Sequence, residues 1–108
     1  MTANPPQQSQ DFAPSPKVQA QVAELRELAK QFPAPTWAEV MPDWQALYAE
    51  ANAGTIHDHC DRFVAFCEGK LVGVGDDELE LRIRLSHKLQ RHPERFAITY
   101  HGDPRGIA

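Results

Sequence analysis

The stretch Arg62–His101, RFVAFCEGKLVGVGDDELELRIRLSHKLQRHPERFAITYH, decides the fold. Two short apolar runs flank Glu68-Gly69-Lys70. A charged, leucine-rich segment follows, and then a third apolar run. In the first run Phe63, Ala65 and Cys67 alternate with Val64 and Phe66, so a strand here carries apolar groups on both faces. Glu68-Gly69 suits a tight turn, with Gly69 supplying a positive φ, and Leu71-Val72-Gly73-Val74 returns antiparallel. Gly73 and Gly75 lack side chains, which signals a bulge or the close approach of another element.

From Glu78 to Leu85 the pattern alternates polar and apolar, as in a half-buried strand. Leu, Glu and Arg are nevertheless helix formers rather than β-branched residues. Asp77 with Glu80 resembles a capping box, acids stand at the front, and Lys88, Arg91 and Arg95 stand at the back, as a helix dipole prefers. Leu81, Leu85 and Leu89 form one row, widened by Leu79 and Ile83. The segment Asp77–Arg91 is therefore expected to be helical. His92-Pro93-Glu94-Arg95 is expected to turn, and Phe96, Ile98 and Tyr100 to alternate in a closing strand. The fold expected is α+β, a ββαβ core with a three-stranded sheet over residues 55–108.

Upstream, Ser15-Pro16 marks a helix start and Pro33 with Pro35 its end. Between them Val18, Val22, Leu25, Ala29 and Phe32 make one apolar stripe. A second helix starts at Thr36 or at Pro42-Asp43, with Asp43 a good cap, and ends at Gly54. Its face is Trp44, Leu47, Tyr48 and Ala51, and both tryptophans, Trp37 and Trp44, are expected to anchor this segment on the sheet. Residues 17–54 thus form a helical segment. A sheet with two apolar faces needs both covered, so these helices are assigned to the face that the Asp77–Arg91 helix leaves bare, the Lys17–Phe32 stripe foremost. Residues 1–16 are rich in Pro, Gln and Ser and read as a disordered tail.

Composition narrows the function classes. A chain of 108 residues with net charge −4 has no general attraction to phosphate backbones or anionic lipid. No apolar run approaches the roughly 18 residues of a membrane helix, and no secretory leader is expected. The charge fits a cytoplasmic protein, which is the setting expected; two cysteines, Cys60 and Cys67, are too few for a disulfide framework and would there be reduced thiols.

Three groups of residues are weighed for chemistry. In His57-Asp58-His59-Cys60-Asp61, imidazole and thiolate suit zinc, so His57, His59 and Cys60 are candidate metal ligands with His87 or His101 as a fourth. No CxxC or HExxH spacing supports them, and a polar loop is the simpler reading. His59 beside Cys60 does not make a nucleophile, because a base must be adjacent in space, and Cys67 alternates as a small buried residue. The basic cluster Arg82, Arg84, Lys88, Arg91, His92 and Arg95 is the candidate nucleic-acid face, against which the simpler reading is a solvated helix face. Gly73-Val74-Gly75 lacks the third glycine and the lysine of a phosphate loop.

Phe63-Val64-Ala65, Gly69, Leu71-Val72, Gly75-Asp76 and Ile98-Thr99-Tyr100 resemble the core of a family of small bacterial proteins catalogued only as a domain of unknown function. The resemblance implies no catalytic or cofactor residues. Some members of that family are encoded beside retropepsin-like aspartic proteases, which implies a protein partner of that kind. This chain has no Asp-Thr-Gly or Asp-Ser-Gly triplet and is not itself such a protease. The function expected is a small non-enzymatic interaction or regulatory module with a protein partner, a homo-oligomer being compatible. No membrane, nucleic-acid or cofactor role is expected. The alternatives are a metal-binding protein using the His57–Cys60 loop and a nucleic-acid-associated protein using the basic helix.

Overall fold

The computed structural model describes residues 14–102. In chain order they form α1 (Pro16–Gln31), α2 (Trp37–Ala53), a 3-10 turn at His57–His59, β1 (Arg62–Cys67), β2 (Lys70–Gly75), α3 (Glu78–Leu89), a 3-10 turn at Pro93–Arg95, and β3 (Ala97–His101). The fold is α+β, with two helices preceding one antiparallel sheet of order β2-β1-β3. Most of the expected tail, residues 1–13, lies outside the described residues. Its last two positions start α1: Ser15 is the cap, its Oγ accepting from the Val18 N–H at 3.2 Å, and Pro16 opens the helix.

The β1–β2 hairpin turns as its sequence requires. Glu68 and Gly69 both have positive φ, 53° and 76°, the pattern of the type I′ turn that matches strand twist. Register shifts between Ala65 and Phe66, which pair with Gly73 and Leu71 and leave Val72 as the bulged residue. Gly73 also serves close packing. A Cβ there would lie 3.1 Å from Leu81 Cδ1 and from Leu85 Cδ2, so α3 crosses directly over this position.

The sheet is buried on both faces. Ala65, Cys67, Phe96 and Ile98 pack with Leu81 and Leu85 of α3. Val64, Phe66 and Ala97 pack with Leu47 of α2 and Ile56. The helix covering the second face is thus α2 alone. The expectation that the Lys17–Phe32 helix would cover it is corrected: α1 lies along α3. Gln21 Nε2 donates to Asp77 Oδ2 at 3.3 Å, Lys17 Nζ stands 3.4 Å from the same carboxylate, and His87 Nε2 meets Glu24 Oε2 at 2.8 Å. One helix is wide enough for a three-stranded face, and the outward stripe of α3, with Leu79 and Ile83 half-buried, required a cover of its own.

Helix α3 settles the ambiguous alternation. Asp77 caps it, accepting from the Leu79 N–H at 2.9 Å and the Glu80 N–H at 3.2 Å. It ends two residues before the expected Arg91, because Gln90 turns left-handed at φ 56°. Replacing Asp77 with alanine is expected to cost about 1 kcal/mol of stability, measured by urea denaturation. The same cap gives a pH dependence. Hydrogen bonds from the Glu80 backbone and from Gln21 lower the Asp77 pKa, and the Thr36 backbone N–H lowers that of Glu39. Folded values below the unfolded ones, about 3.9 for Asp and 4.3 for Glu, mean stability present above them and lost as pH falls through the folded values. An Asp77→Asn, Glu39→Gln double variant is expected to show a shallower loss of stability below about pH 4.

Candidate functional site: the uncharged face of the second helix

Helix α2 begins at Thr36 with a full capping box. Thr36 Oγ1 accepts from the Glu39 N–H at 3.2 Å, and Glu39 Oε1 accepts from the Thr36 N–H at 2.9 Å. The alternative start at Pro42-Asp43 is corrected, since Pro42 lies inside the helix. Proline is tolerated there because it faces solvent, where the Ala38 carbonyl that loses its helical donor can bond to water.

Asp43 is no cap. It is 1 % exposed, and its Oδ1 accepts from the Gly69 N–H at the hairpin tip at 2.8 Å, while Oδ2 pairs with Arg95 Nη1. One carboxylate thus ties α2, the β1–β2 turn and the entry to β3 together. Burial works against the charged form of Arg95, yet the hydrogen bond and charge of Asp43 hold its pKa above the ordinary arginine value.

With about 3.6 residues per turn, Val40, Asp43 and Leu47 define the inward side of α2. Its three charged residues, Glu39, Asp43 and Glu50, share one flank. Glu39 lines a cleft of about 200 Å³ with Arg91 and Arg95, and Glu50 accepts from Thr55 Oγ1. The opposite half of the helix carries Trp37, Ala38, Met41, Pro42, Gln45, Tyr48, Ala49, Asn52 and Ala53. All are exposed and none is charged. Trp37 is 67 % exposed, Tyr48 55 % and Met41 40 %. Half-buried Trp44 stacks on Tyr48 with ring centroids 5.9 Å apart and extends this surface inward to the core cluster. A cleft of about 350 Å³ adjoins it, walled by Trp37, Trp44, Val40 and Phe96 with Arg82 and Glu94 among its polar groups.

The tryptophans therefore part company. Trp44 packs on the sheet-face cluster as expected, but Trp37 stands out in solvent, because it lies on the outward half of the helix. Of the expected face Trp44, Leu47, Tyr48 and Ala51, only Leu47 is fully buried. The surface was detectable in the sequence as a helix of 17 residues whose charges fall on a single flank.

The residues singled out for other chemistries are placed as follows. His59 and Cys60 are half-buried at the turn before β1, and the side chain of His57 lies outside the described residues. His87 is on α3 against Glu24, and His101 ends β3 opposite Arg62, its Nε2 buried without a hydrogen-bond partner among the described residues. No group of three or more His, Cys, Asp or Glu arranged to hold a metal occurs among the described residues. Cys67 is 4 % exposed, and burial pushes its thiol pKa up, the opposite of an activated nucleophile.

The basic cluster is not one solvated helix face, and that expectation is corrected. The side chains of Arg82 and Arg95 are each 12 % exposed, and His92 is buried. Arg82 bonds Glu78 Oε2 at 3.1 Å and the Pro93 carbonyl at 2.7 Å, Arg84 pairs with Glu80 at 3.4 Å, and Arg91 with Glu68 at 3.4 Å. His92 Nδ1 accepts from the Glu94 N–H at 3.0 Å. Four of these cations spend their donors on acids of the same chain: Arg82 and Arg84 on acids one turn earlier in α3, Arg91 on Glu68 at the hairpin, and Arg95, folded inward by the 3-10 turn, on Asp43.

Among the described residues no helix is long and apolar enough to cross a membrane. Comparisons with family models, with curated proteins and with solved structures return no match for the chain.

Proposed function

We propose that this protein is a non-catalytic interaction module, acting in the cytoplasm, that binds a protein partner through the uncharged half of α2. One observation carries this reading: a solvent-facing half-helix displays Trp37, Met41 and Tyr48 with no charged residue among its nine positions. A surface helix ordinarily keeps its charged residues on the outward face. Exposed aromatics and methionine with charge excluded from their centre are the composition of an interface core. The arrangement is that of a helix offered to a helix or a groove. The Asp43 clamp supports it by holding α2 rigidly on the sheet, so that little ordering entropy opposes binding.

The test places a photoreactive benzophenone amino acid at Met41, and in a control at exposed Arg26 on α1, within cells of the source organism. Discrete covalent adducts from position 41 and not from position 26 are expected, reduced about ten-fold or more by Trp37→Ala. Adducts equal at the two positions, or none at position 41, would sink the assignment of this surface.

A further inference from the structure

We infer that the occupant of this surface is a second copy of the same chain, packed α2 against α2 in antiparallel fashion about a two-fold axis at Gln45. The inference rests on the interaction reading of α2 and names its partner.

Charge is the first argument. The chain carries a net charge of −4, so two copies repel at long range. On α2, however, Glu39 and Glu50 lie on the flank turned away from the exposed half, and Asp43 is buried against Arg95. Two such halves can meet without apposing like charges. A strongly basic or acidic partner would find no counter-charge on them.

Size is the second. Helix α2 runs from Trp37 to Ala53, and its midpoint is Gln45. Antiparallel pairing puts Trp37 level with Ala53, Met41 level with Ala49, and Tyr48 level with Pro42 of the other copy. Each bulky side chain then stands level with a small or compact one. Parallel pairing would set each bulky residue level with its own copy and leave Ala38 opposite Ala38, and Ala49 opposite Ala49, across gaps. Ala38, Met41, Gln45, Tyr48 and Asn52 form the central seam at alternating three- and four-residue steps, the spacing at which two helices mesh. Gln45 sits on the axis, and its amide holds both donors and an acceptor, so two copies can hydrogen-bond reciprocally.

Area is the third. An aromatic side chain presents about 150–250 Å², so the exposed fractions of Trp37 and Tyr48 alone supply on the order of 200 Å² per copy. With Met41 and the small residues between them, the pair buries on the order of 1,000 Å² in all, the lower bound of a specific interface. A reversible dimer is the consequence.

Sedimentation equilibrium of the full chain, from micromolar to near-millimolar concentration, is expected to show reversible association from 12.1 kDa to twice that mass. Ala49→Lys, which sets an ammonium group against Met41 of the other copy from an exposed position, is expected to weaken association about ten-fold or more with an unchanged circular dichroism spectrum. The direction is read by bismaleimide cross-linking in a Cys60→Ser background. A cysteine at Gln45 is expected to link two copies, whereas one at Ala53 is not, because antiparallel helices hold those ends about 24 Å apart. A chain monomeric throughout the range, a dimer indifferent to Ala49→Lys, or efficient Ala53 cross-linking would each overturn the antiparallel pair. A monomeric pure chain that still yields cellular adducts from position 41 would overturn the second copy alone and leave the interaction reading standing. A monomer without such adducts would overturn both.

Discussion

Asp43→Ala is expected to remove about 3–5 kcal/mol of stability, the range for breaking a buried ion pair by deleting one partner. The loss is large because three things fail together. Arg95, with a side chain only 12 % exposed, keeps its charge and loses its counter-ion. The Gly69 N–H loses its acceptor at the hairpin tip. Helix α2 loses its polar tie to the sheet. Small domains hold about 5–15 kcal/mol in total, so the variant should be largely unfolded at moderate urea. The cause can be isolated. If an orphaned charge dominates, adding Arg95→Met to Asp43→Leu should recover much of the loss, since apolar residues of similar volume can replace a buried pair. Denaturation curves of the single and double variants make the comparison. A single-variant loss under about 1 kcal/mol would mean that the clamp is not what holds these elements together.

Phe66→Ala is expected to cost about 3–5 kcal/mol, from lost transfer energy and the cavity left behind. Phe66 is 2 % exposed, lies on the central strand, and belongs to the cluster that contains Leu47 of α2. It also pairs across the bulge, so neighbouring backbone has little freedom to close the hole. Its effect should be local as well as large. Amide exchange should quicken in α2 more than in α3, because the α3 contacts with the sheet run through Ala65, Cys67, Phe96 and Ile98 on the other face. Leu85→Ala, at a residue 2 % exposed in the cluster under α3, should show the reverse pattern. Equal exchange in both helices for both variants would mean that the two faces open as one unit.

The core of the fold was legible in the sequence, and the reasons are local. Strand alternation at Phe63–Cys67 reports side-chain direction at every second residue, and Gly69 between two apolar runs marks the turn because glycine accepts a positive φ, whereas the positive φ of Glu68 came only with the structure. The Asp77 cap and the leucine row outweighed a polar–apolar alternation that ran the other way, since capping and propensity act within a single turn. The absence of charge along one half of α2 was equally present in the sequence. It acquires meaning only once the inward side is known, because a charge-free stripe is a core face or an exposed interface according to which way the helix rolls.

The amino-acid sequence by itself determined the helices, the hairpin, the closing strand and the two apolar faces of the sheet. Only the tertiary structure decided which helix covers which face, that Asp43 is a buried counter-ion instead of a cap, and that Arg82 and Arg95 point inward. Secondary structure follows from interactions between residues a few positions apart, which a sequence displays directly. A buried ion pair joins residues far apart in the chain, Asp43 and Arg95, and its existence depends on three elements converging on one carboxylate. No local pattern encodes that convergence, because the desolvation that makes the pair matter exists only after the chain has folded around it.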